Sequence, residues 1–513
     1  MPAVHLLPSQ TKHAETLTRM LETQRYAMDL SMMGAGKTYT TTWYALNQKI
    51  PHVVIICPVS VAPKWGYMKT EFGLPVDSII SYQSIRSVKN KQPKHGLLNR
   101  RDFTRTIKHF NKKTYENEDV KIDSVEFSPT PSFVSKCAEG CLVVIDEFQH
   151  VKNLSAQFEA IRAIVRHILT TKSSSRVLFL SGSPFDKEEQ TLRFFKLLNV
   201  FTEDSIASYN PYTYEMEWKG LAEIETYARE MDRITANSIS RPRAFDSGKK
   251  LEHYAYELFQ KVVKPRVSSS MLTPKTEAIL HKHNGFFNIL DEDELECLER
   301  GILKLRAIVE GESDIHITKV GGGATFGAIT KALQLIEAGK KSMLVRKARE
   351  VLESHPTSKV ILCVNYTATL EFLEKALEEF EPLILNGSVP SHRRGQIIHA
   401  FQAPTDKYRV LIGNVSVCST GIDLDDKHGM FPRTAYISPN YSTITLYQLG
   451  HRFVRADSKN SANVYFAYGK DAVEMSLLES LARKSETMKE TTPDQVDRGV
   501  IFPVDLPTFT EED

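Results

Sequence analysis

The sequence lacks long apolar runs and contains few cysteines. No apolar run approaches the roughly 20 residues that a membrane-spanning helix needs, and the opening residues MPAVHLLPSQTKH lack the apolar core of a secretory signal. The six cysteines are spread thinly, as expected for a reducing compartment. Cys137 and Cys141 have no second Cys or His pair at ligand spacing, which favours buried thiols over a zinc site. We therefore expect a soluble, intracellular protein of the cytoplasm or nucleus without a membrane partner.

The sequence also lacks internal repeats and a strong excess of charge of either sign. No period of about 20 to 50 residues indicates a repeat array. Hydrophobic residues make up 41% of the chain and charged residues 25%, as in ordinary globular proteins, and the formal net charge is +2. At 513 residues the chain is long enough for several domains with sizeable cores.

A glycine-rich stretch, SMMGAGKT at 31–38, lies between a strand-like run at 26–30 and a helical pattern at 39–46. This context predicts a phosphate-binding loop, because glycines let backbone N–H groups approach phosphate oxygens at a helix N-terminus. Gly34, Ala35 and Gly36 would contribute these N–H groups. Lys37 would reach the β- and γ-phosphates, and the Thr38 hydroxyl would bind Mg²⁺. Ser31 replaces the first glycine of the usual G-x-x-x-x-G-K-[ST] pattern, and a glycine turn without a ligand is the alternative.

Two adjacent acids follow the apolar run CLVVI in the stretch VVIDEFQHVKN. They are expected at the carboxyl edge of a parallel sheet, where ligands bind in such folds. Asp146 would bind Mg²⁺, and Glu147 would orient or deprotonate the attacking water. Paired acids at a strand end are common, so the phosphate loop about 110 residues upstream makes the interpretation specific.

Basic residues are concentrated in one block, between Arg86 and Lys113. Ten Lys or Arg residues face a single acid there, Asp102. The block predicts a surface for a polyanion, most simply nucleic acid, with Arg100 and Arg101 as contacts. A solvated surface insert is the alternative. Lys64 and Trp65 are further candidates for nucleic-acid contact, although a core position for Trp65 is an equal alternative.

Apolar strand-like runs alternate with helical patterns in both halves of the chain, which predicts an α/β fold with parallel sheets. We predict a first lobe at 1–201 with a basic insert at 86–122, and a mainly helical region at 202–339. A second lobe follows at 340–490, and a tail at 491–513. Gly321, Gly322 and Gly323 are predicted to form a hinge-like turn before the second lobe. The predicted strands are 26–30, 53–57, 141–145, 177–180, 360–364, 383–385, 410–412, 435–437 and 464–467.

Several motifs appear in the order typical of one protein family. MMGAGKT, VVIICPVSVAPKW, SYQSIR, VVIDEFQHVKN and FLSGSPF occur in the first half, and KVILCVNYTATLEFLEKAL, LNGSVPSHRRGQIIHAF, VLIGNVSVCSTGIDL and TLYQLGHRFVR in the second. Together with LLPSQ near the start, they resemble the motifs of superfamily 2 helicases, specifically the SNF2-like branch. The resemblance covers roughly residues 6 to 485. It is greatest to the compact stand-alone forms of phages, large DNA viruses and bacteria.

The resemblance implies two RecA-like lobes in tandem, with ATP bound between them together with Mg²⁺. Gln10 would read adenine. Arg452 and Arg455 would act from the second lobe as arginine fingers, and Gln448 and Asp423 would also contribute to the nucleotide site. Ser181 and Ser183 would transmit lobe closure. A finger of this kind contributes on the order of 10³ to 10⁵ in rate, so hydrolysis becomes conditional on closure.

This sequence departs from the family pattern at several positions. Gln149 stands where His is usual, and Asp423 where many SNF2-like proteins have Asn. SGSP replaces TGTP and keeps the hydroxyl groups. His451 precedes Arg452, and we expect it to serve packing or the surface rather than catalysis. None of these changes removes a residue expected to bind phosphate, bind metal or act as an arginine finger, so an active ATPase is expected.

Three functions are compatible with the sequence. The leading hypothesis is an ATP-dependent translocase on double-stranded DNA that remodels DNA or displaces bound proteins, with replication, repair or transcription proteins as partners. The first alternative is a strand-separating helicase on DNA or RNA, which an inserted wedge hairpin would favour. The second is an ATP-gated clamp that binds nucleic acid with little turnover, and the intact Lys37, Glu147 and Arg455 count against it.

Overall fold

The chain divides into two compact units in the computed structural model. The first comprises Met1–Thr273 with Thr487–Gln495, and the second Pro274–Glu486 with Val496–Asp513. The structure describes residues 3–87, 91–111, 116–202, 206, 208–210, 215–242, 248–271, 277–311, 322–455, 457–470 and 474–491.

The first unit alternates strands and helices along the chain. Its strands are β1 Tyr26–Asp29, β2 His52–Cys57, β3 Val76–Ser81, β4 Leu98–Asn111, β5 Glu116–Pro129, β6 Cys141–Asp146, β7 Arg176–Leu180, β8 Ser208–Asn210, β9 Glu215–Glu217 and β10 Ser268–Ser269. Its helices are α1 Pro8–Gln24, α2 Lys37–Asn47, α3 Ala62–Phe72, α4 Tyr82–Arg86, α5 Pro131–Glu139, α6 Ala156–Thr170, α7 Glu189–Leu197, α8 Lys219–Met231, α9 Arg233–Ser238, α10 Gly248–Leu258 and α11 Lys264–Val267. A 3₁₀ turn spans Phe148–Val151, and a π-helical turn spans Phe259–Val263.

Six of these strands form one parallel sheet in the order β10-β1-β7-β6-β2-β3. Alternate residues of β6 enter opposite cores: Leu142 and Val144 pack on one face, and Val143 and Ile145 on the other. Both faces are therefore buried, which explains why these strands read as continuous apolar runs. The order brings the ends of β1, β7 and β6 side by side at the carboxyl edge of the sheet. We call this region, with the loops that follow the three strands, the first-sheet edge.

An antiparallel hairpin interrupts the first unit between α4 and α5. Its strands β4 and β5 pair over 14 residues each, from Leu98 opposite Pro129 to Asn111 opposite Glu116. Near the base of the hairpin, Phe127 is buried in the same core as α6. Phe103 is 38% exposed. The hairpin contains most of the predicted basic insert at 86–122, and residues 88–90 and 112–115 lie outside the described residues.

The second unit repeats the layered arrangement. Its strands are β11 Leu280–Phe287, β12 Lys359–Val364, β13 Leu383–Leu385, β14 Val410–Asn414, β15 Arg433–Ile437 and β16 Ala462–Gly469. Its helices are α12 Glu292–Gly311, α13 Gly322–Ala338, α14 Lys341–Ser354, α15 Thr367–Ala376, α16 Ser391–Gln402, α17 Val415–Cys418, α18 Thr443–Gly450 and α19 Met475–Thr491, with a 3₁₀ turn at Glu378–Phe380. The six strands form a parallel sheet in the order β11-β16-β15-β12-β14-β13.

Two tandem parallel-sheet α/β units are what RecA-like lobes require, and this prediction is confirmed. Every strand predicted in the sequence coincides with a sheet strand, except that the run 26–30 extends one residue beyond the end of β1 at Asp29. The region 202–339 does not form a separate unit, because the division falls at Thr273 and Pro274. Its early helices share the first core, and its later part supplies β11 to the second sheet. Strand β11, LHKHNGFF, was not predicted, because this edge strand has four consecutive polar residues and no continuous apolar run.

Two further predictions concern the glycine turn at 321–323 and the tail at 491–513. Gly322 and Gly323 begin helix α13 rather than a hinge-like turn, and Gly321 lies outside the described residues. All of the predicted tail except Thr491, the last residue of α19, lies outside them as well. Within the described ranges, no helix is both long enough and apolar enough to cross a membrane.

Candidate nucleotide site

The predicted phosphate-binding loop connects β1 to helix α2. Gly34 and Gly36 have φ angles of 82° and 102°, in the left-handed region that glycine enters without steric cost. Gly36 is also the N-cap of α2, so the backbone N–H groups of the first helical turn are directed towards the loop. The Lys37 Nζ donates to the carbonyl oxygens of Ser31 at 2.8 Å and Met32 at 3.2 Å. The loop thus has the backbone form and the cation that a phosphate site needs.

Gln10, the predicted adenine reader, contacts this loop from helix α1. Its Nε2 donates to the carbonyl oxygen of Ala35 at 3.0 Å, and its Oε1 accepts from the N–H of Leu7 at 3.0 Å. A Cβ atom on Gly36 would lie only 2.3 Å from Gln10 Nε2. The φ angle therefore favours glycine at position 36, and any larger residue there would displace the end of the Gln10 side chain.

Asp146 ends strand β6 in a fully enclosed position. Burial and the adjacent Glu147 carboxylate raise its pKa to about 6, although Trp65 and the charge of Lys37 oppose the rise. The Trp65 Nε1 donates to Asp146 Oδ2 at 2.9 Å, and the Tyr82 hydroxyl donates to the Asp146 carbonyl oxygen at 2.8 Å. A buried carboxylate next to a second acid is the type of group that a divalent cation neutralises. Asp146 and the buried Thr38 therefore offer the kind of oxygen atoms that Mg²⁺ binds, and their role as its ligands stays a prediction.

Glu147 has an unusual backbone conformation, with φ 58° and ψ 52°. Left-handed geometry at a non-glycine residue costs on the order of 1 to 3 kcal/mol and is concentrated at functional sites. Its Oε2 accepts from Gln149 Nε2 at 2.7 Å, and Gln149 Oε1 accepts from the Ser181 hydroxyl at 2.7 Å. Ser181 Oγ in turn accepts from the N–H of Ser183 at 3.0 Å. We call this the Glu147–Gln149–Ser181 chain.

The Glu147–Gln149–Ser181 chain gives a structural role to Gln149, which departs from the family pattern. Gln149 can donate and accept at the same time through one side-chain amide. It therefore links the acid after β6 to the turn after β7, and those two strands are neighbours in the sheet. A second link runs in parallel, because Lys152 Nζ lies 2.8 Å from Asp186 Oδ1.

Trp65 and Lys64 lie close to Asp146. Trp65 is completely buried and its indole nitrogen is bound to Asp146, so a surface role in nucleic-acid contact was wrong and the core alternative is correct. Lys64 is exposed, its Nζ lies 6.0 Å from the centre of the Tyr39 ring, and its charge helps to lower the pKa of Asp146. Tyr82 was not singled out in the sequence, although its motif SYQSIR was.

In the second unit, the predicted arginine fingers are both held by oxygen atoms. Arg452 donates from Nε and Nη2 to the Ser419 carbonyl oxygen, at 2.9 and 2.7 Å. Arg455 Nε donates to Asp423 Oδ1 at 3.0 Å. Burial alone would raise the pKa of Asp423, but the charges of Arg455 and Lys427 lower it below its ordinary value. Gln448 is buried in α18, one turn before Arg452.

His451 packs between a ring and an amine. The ring centres of His451 and Tyr447 are 4.6 Å apart, and Lys282 Nζ lies 3.3 Å from His451 Nε2. Burial, together with the charges of Lys282 and Arg455, lowers the pKa of His451 well below its ordinary value. A neutral ring accepting from Lys282 agrees with the expected packing role. Lys282 was missed in the sequence because it lies on the unrecognised strand β11.

The basic block has a different environment from the one its sequence predicts. Strand β4 carries four basic residues and one acid, whereas β5 carries five acids and one lysine, so the paired strands together have a formal charge of −1. Arg100 is 9% exposed, is bound to Asp102 at 2.7 Å and donates to the carbonyl oxygens of Arg86 and Ser87. The expectation that Arg100 is available at the surface was therefore wrong. Arg101 is 77% exposed, with Glu126 3.9 Å away.

Comparison with known proteins gives two findings. Residues 342–457 match the family described as the helicase conserved C-terminal domain. Over 459 residues, the chain is 20% identical to a protein of Acanthamoeba polyphaga mimivirus whose name describes it as a candidate ATP-dependent RNA helicase. The matched region covers 89% of this chain and 77% of that protein. With the two parallel-sheet units, these findings support a superfamily 2 helicase-type motor that uses ATP and binds nucleic acid.

Proposed function

We propose that the protein is an SNF2-like translocase that couples ATP hydrolysis to movement along nucleic acid, with duplex DNA as the favoured substrate. This movement would remodel DNA or displace proteins bound to it. The observation that supports the proposal is the Glu147–Gln149–Ser181 chain. It makes the orientation of the proposed water-activating carboxylate depend on the turn after β7, so hydrolysis can respond to a conformational change at that turn.

In the proposed reaction, different residues of the first-sheet edge bind phosphate, bind the metal ion and accept a proton. Backbone N–H groups at Gly34, Ala35 and Gly36 bind phosphate oxygens, and Lys37 exchanges its two carbonyl partners for them. Thr38 and Asp146 would hold Mg²⁺, which would supply positive charge to the phosphate oxygens. Glu147 accepts a proton from the attacking water.

Arg452 and Arg455 are the proposed arginine fingers, and Gln10 is the proposed reader of adenine. Gln448 and Asp423 would complete the nucleotide site. Asp423 orients the Arg455 guanidinium through a hydrogen bond, and the positive charge of Arg455 lowers the pKa of Asp423. Exchanging this carboxylate for developing phosphate charge is a low-cost change of partner, because both are anionic oxygen acceptors.

The test is steady-state ATP hydrolysis by the purified protein alone and with duplex DNA, single-stranded DNA or RNA. Glu147→Gln serves as the inactive control, and Arg455→Lys tests the finger. Strong stimulation by duplex DNA, lost in the control, would support the translocase, and displacement of a triplex strand would then measure movement. A rate that nucleic acid does not raise and that equals the rate of the control would overturn the motor and favour an ATP-gated clamp.

A second candidate is a strand-separating helicase, and the β4–β5 hairpin specifically favours it. An inserted hairpin of 14 paired residues per strand is the feature that a wedge between nucleic-acid strands needs. The mimivirus relative, whose name refers to RNA, makes an RNA duplex one of the substrates to test.

The hairpin can be shortened without disturbing its base. Phe103 lies opposite Ser124, so residues 104–123 can be replaced by an Asn-Gly turn that joins these two positions. A helicase that uses this wedge would lose separation of a labelled duplex with a single-stranded overhang but keep its stimulated ATP hydrolysis. Equal strand separation by the shortened and full-length chains would count against a wedge role.

A further inference from the structure

A buried polar cluster lies next to the start of the phosphate-binding loop. Its residues have no role in the proposed ATP chemistry. His13 of α1 and Asp29 at the end of β1 are 4% and 0% exposed. His13 Nε2 lies 3.1 Å from Asp29 Oδ2, and its Nδ1 lies 2.9 Å from the hydroxyl of Ser269. Asp29 and Ser269 are paired in the sheet through β1 and β10. The imidazole therefore crosses from a helix to two adjacent strands.

The cluster is connected directly to the loop. Asp29 Oδ1 accepts from the Ser31 N–H at 3.0 Å, and the Ser31 hydroxyl accepts from the Met271 N–H at 2.9 Å. Ser31 is also the residue whose carbonyl oxygen binds Lys37 Nζ at 2.8 Å. One serine thus connects the buried acid to the proposed phosphate-binding lysine.

Asp29 carries its charge in an apolar setting. Burial alone would raise its pKa, but the contacts with His13, the charge of Lys37 and the Ser31 hydrogen bond together hold it below the ordinary value. A buried carboxylate is tolerated only when it is paired and hydrogen-bonded. When Lys37 turns from the Ser31 carbonyl to a phosphate, Asp29 keeps its contacts with His13 and with the Ser31 N–H.

Helix α1 meets the loop at two points. Gln10 and His13 are three residues apart and therefore share one face of α1. Gln10 contacts the crown of the loop at Ala35, and His13 contacts its entry through Asp29. Helix α1 is thus connected to the loop at its start, through Asp29, and at Ala35.

We propose that His13 and Asp29 are positioning residues for the phosphate-binding loop. The pair fixes Ser31, whose carbonyl oxygen places the Lys37 ammonium, and it connects the loop to the helix that carries Gln10. This inference rests on the proposed ATP site and adds two residues that do not touch the nucleotide. It also explains why a serine can replace glycine at the first loop position, since Ser31 uses its N–H, hydroxyl and carbonyl groups in the cluster.

The test measures binding of a fluorescent ATP analogue, mant-ATP, in the Glu147→Gln background, so that hydrolysis does not interfere. His13→Leu leaves Asp29 without its imidazole partner, and we expect binding to weaken by roughly 10- to 100-fold, by analogy with the loss of residues that orient metal ligands. Adding Asp29→Asn removes the uncompensated charge and keeps an acceptor for the Ser31 N–H. The double variant should therefore bind more tightly than His13→Leu alone.

Leu17→Ala provides a matched structural control. Leu17 lies four residues after His13 on α1, is 1% exposed and contacts the apolar core. It should lower the melting temperature without a comparable loss of analogue binding. His13→Gln, which keeps a donor near Asp29, should recover part of the affinity that His13→Leu loses.

The inference would be overturned if His13→Leu bound the analogue like its parent. It would equally be overturned if Asp29→Asn gave no recovery and Leu17→Ala weakened binding as much. Hydrolysis is measured separately in the chain without Glu147→Gln. If this protein bound the analogue but did not hydrolyse ATP, the proposed motor would be refuted, and the binding data alone would decide the positioning role. If it did not bind the analogue, the motor and the positioning role would both be refuted.

Discussion

The sequence motifs pointed to both the first-sheet edge and the β4–β5 hairpin as functional regions. The residues of the edge have the surroundings that the sequence predicts, whereas the basic residues of the hairpin do not. At the edge, Lys37, Asp146 and Glu147 lie in the setting that their motifs predict. In the hairpin, a block of basic residues is paired with a strand of acids, and Arg100 is bound within its own unit. A motif that encodes local backbone geometry thus predicts the surroundings of its residues better than a concentration of charged residues does.

The physical reason is the distance over which each feature is determined. Eight consecutive residues set the form of the phosphate loop, because two glycines and a helix N-terminus are sufficient. The electrostatic character of a charged strand depends on whatever strand pairs with it. In this protein the acids that pair with β4 lie on β5, which begins at Glu116. Four changes test this contrast, from the largest expected effect to the smallest.

Glu147→Gln should reduce nucleic-acid-stimulated ATP turnover by about 10² to 10⁴-fold, because the proposed general base is lost. Binding of an ATP analogue should persist, since the loop and Lys37 are unchanged. Turnover at saturating ATP and analogue affinity measure the two effects separately. Turnover within threefold of the parent would break the comparison, because the first-sheet edge would then not be the site of the chemistry.

Asp146→Asn should abolish hydrolysis but stabilise the protein without nucleotide by roughly 1 to 3 kcal/mol at pH 7 to 8. The folded-state pKa of Asp146 is about 6, above the ordinary value, so its ionisation lowers the stability of the fold as the pH rises from about 4 to about 6. The gain should be complete above about pH 6 and shrink as the pH falls towards 4. Denaturant unfolding at several pH values measures it, and a loss of stability at pH 8 would contradict the buried carboxylate.

Gln149→Ala should lower stimulated turnover about tenfold, because it breaks the Glu147–Gln149–Ser181 chain and leaves Ser181 without this partner. The unstimulated rate should change less. Gln149→His restores the residue usual in SNF2-like proteins and should keep more of the stimulation. Equal stimulation in all three chains would remove the observation on which the proposed coupling rests.

Charge reversal in the hairpin should have the smallest effect and should separate its two arginines. Arg101→Glu should weaken nucleic-acid binding about two- to threefold and reduce its salt dependence by about one ion. Arg100→Glu should chiefly lower the melting temperature, since it breaks an internal ion pair and two hydrogen bonds to carbonyl oxygens. If Arg101→Glu abolished binding, the neighbouring acids would not compensate the basic block as we infer.

Much of the fold was predictable because parallel strands buried on both faces are continuous apolar runs. The strands at 141–146 and 359–364 are clear examples. Edge elements were harder to predict. Strand β11 contains four consecutive polar residues, His281 to Asn284, and therefore lacks an apolar run. Ser268–Ser269 is too short to give a pattern, yet this strand brings Ser269 to His13.

By itself, the sequence determined the phosphate loop, the acid pair and the two parallel sheets, since these depend on residues adjacent in the chain and on apolar patterning. Only the tertiary structure decided the contacts of Gln149, Trp65 and Arg100. It also brought His13 to Asp29, on separate elements whose encounter leaves no local pattern. Burial raises the pKa of both acids, but the partners of Asp29 hold its pKa below the ordinary value, whereas the pKa of Asp146, beside a second carboxylate, rises to about 6.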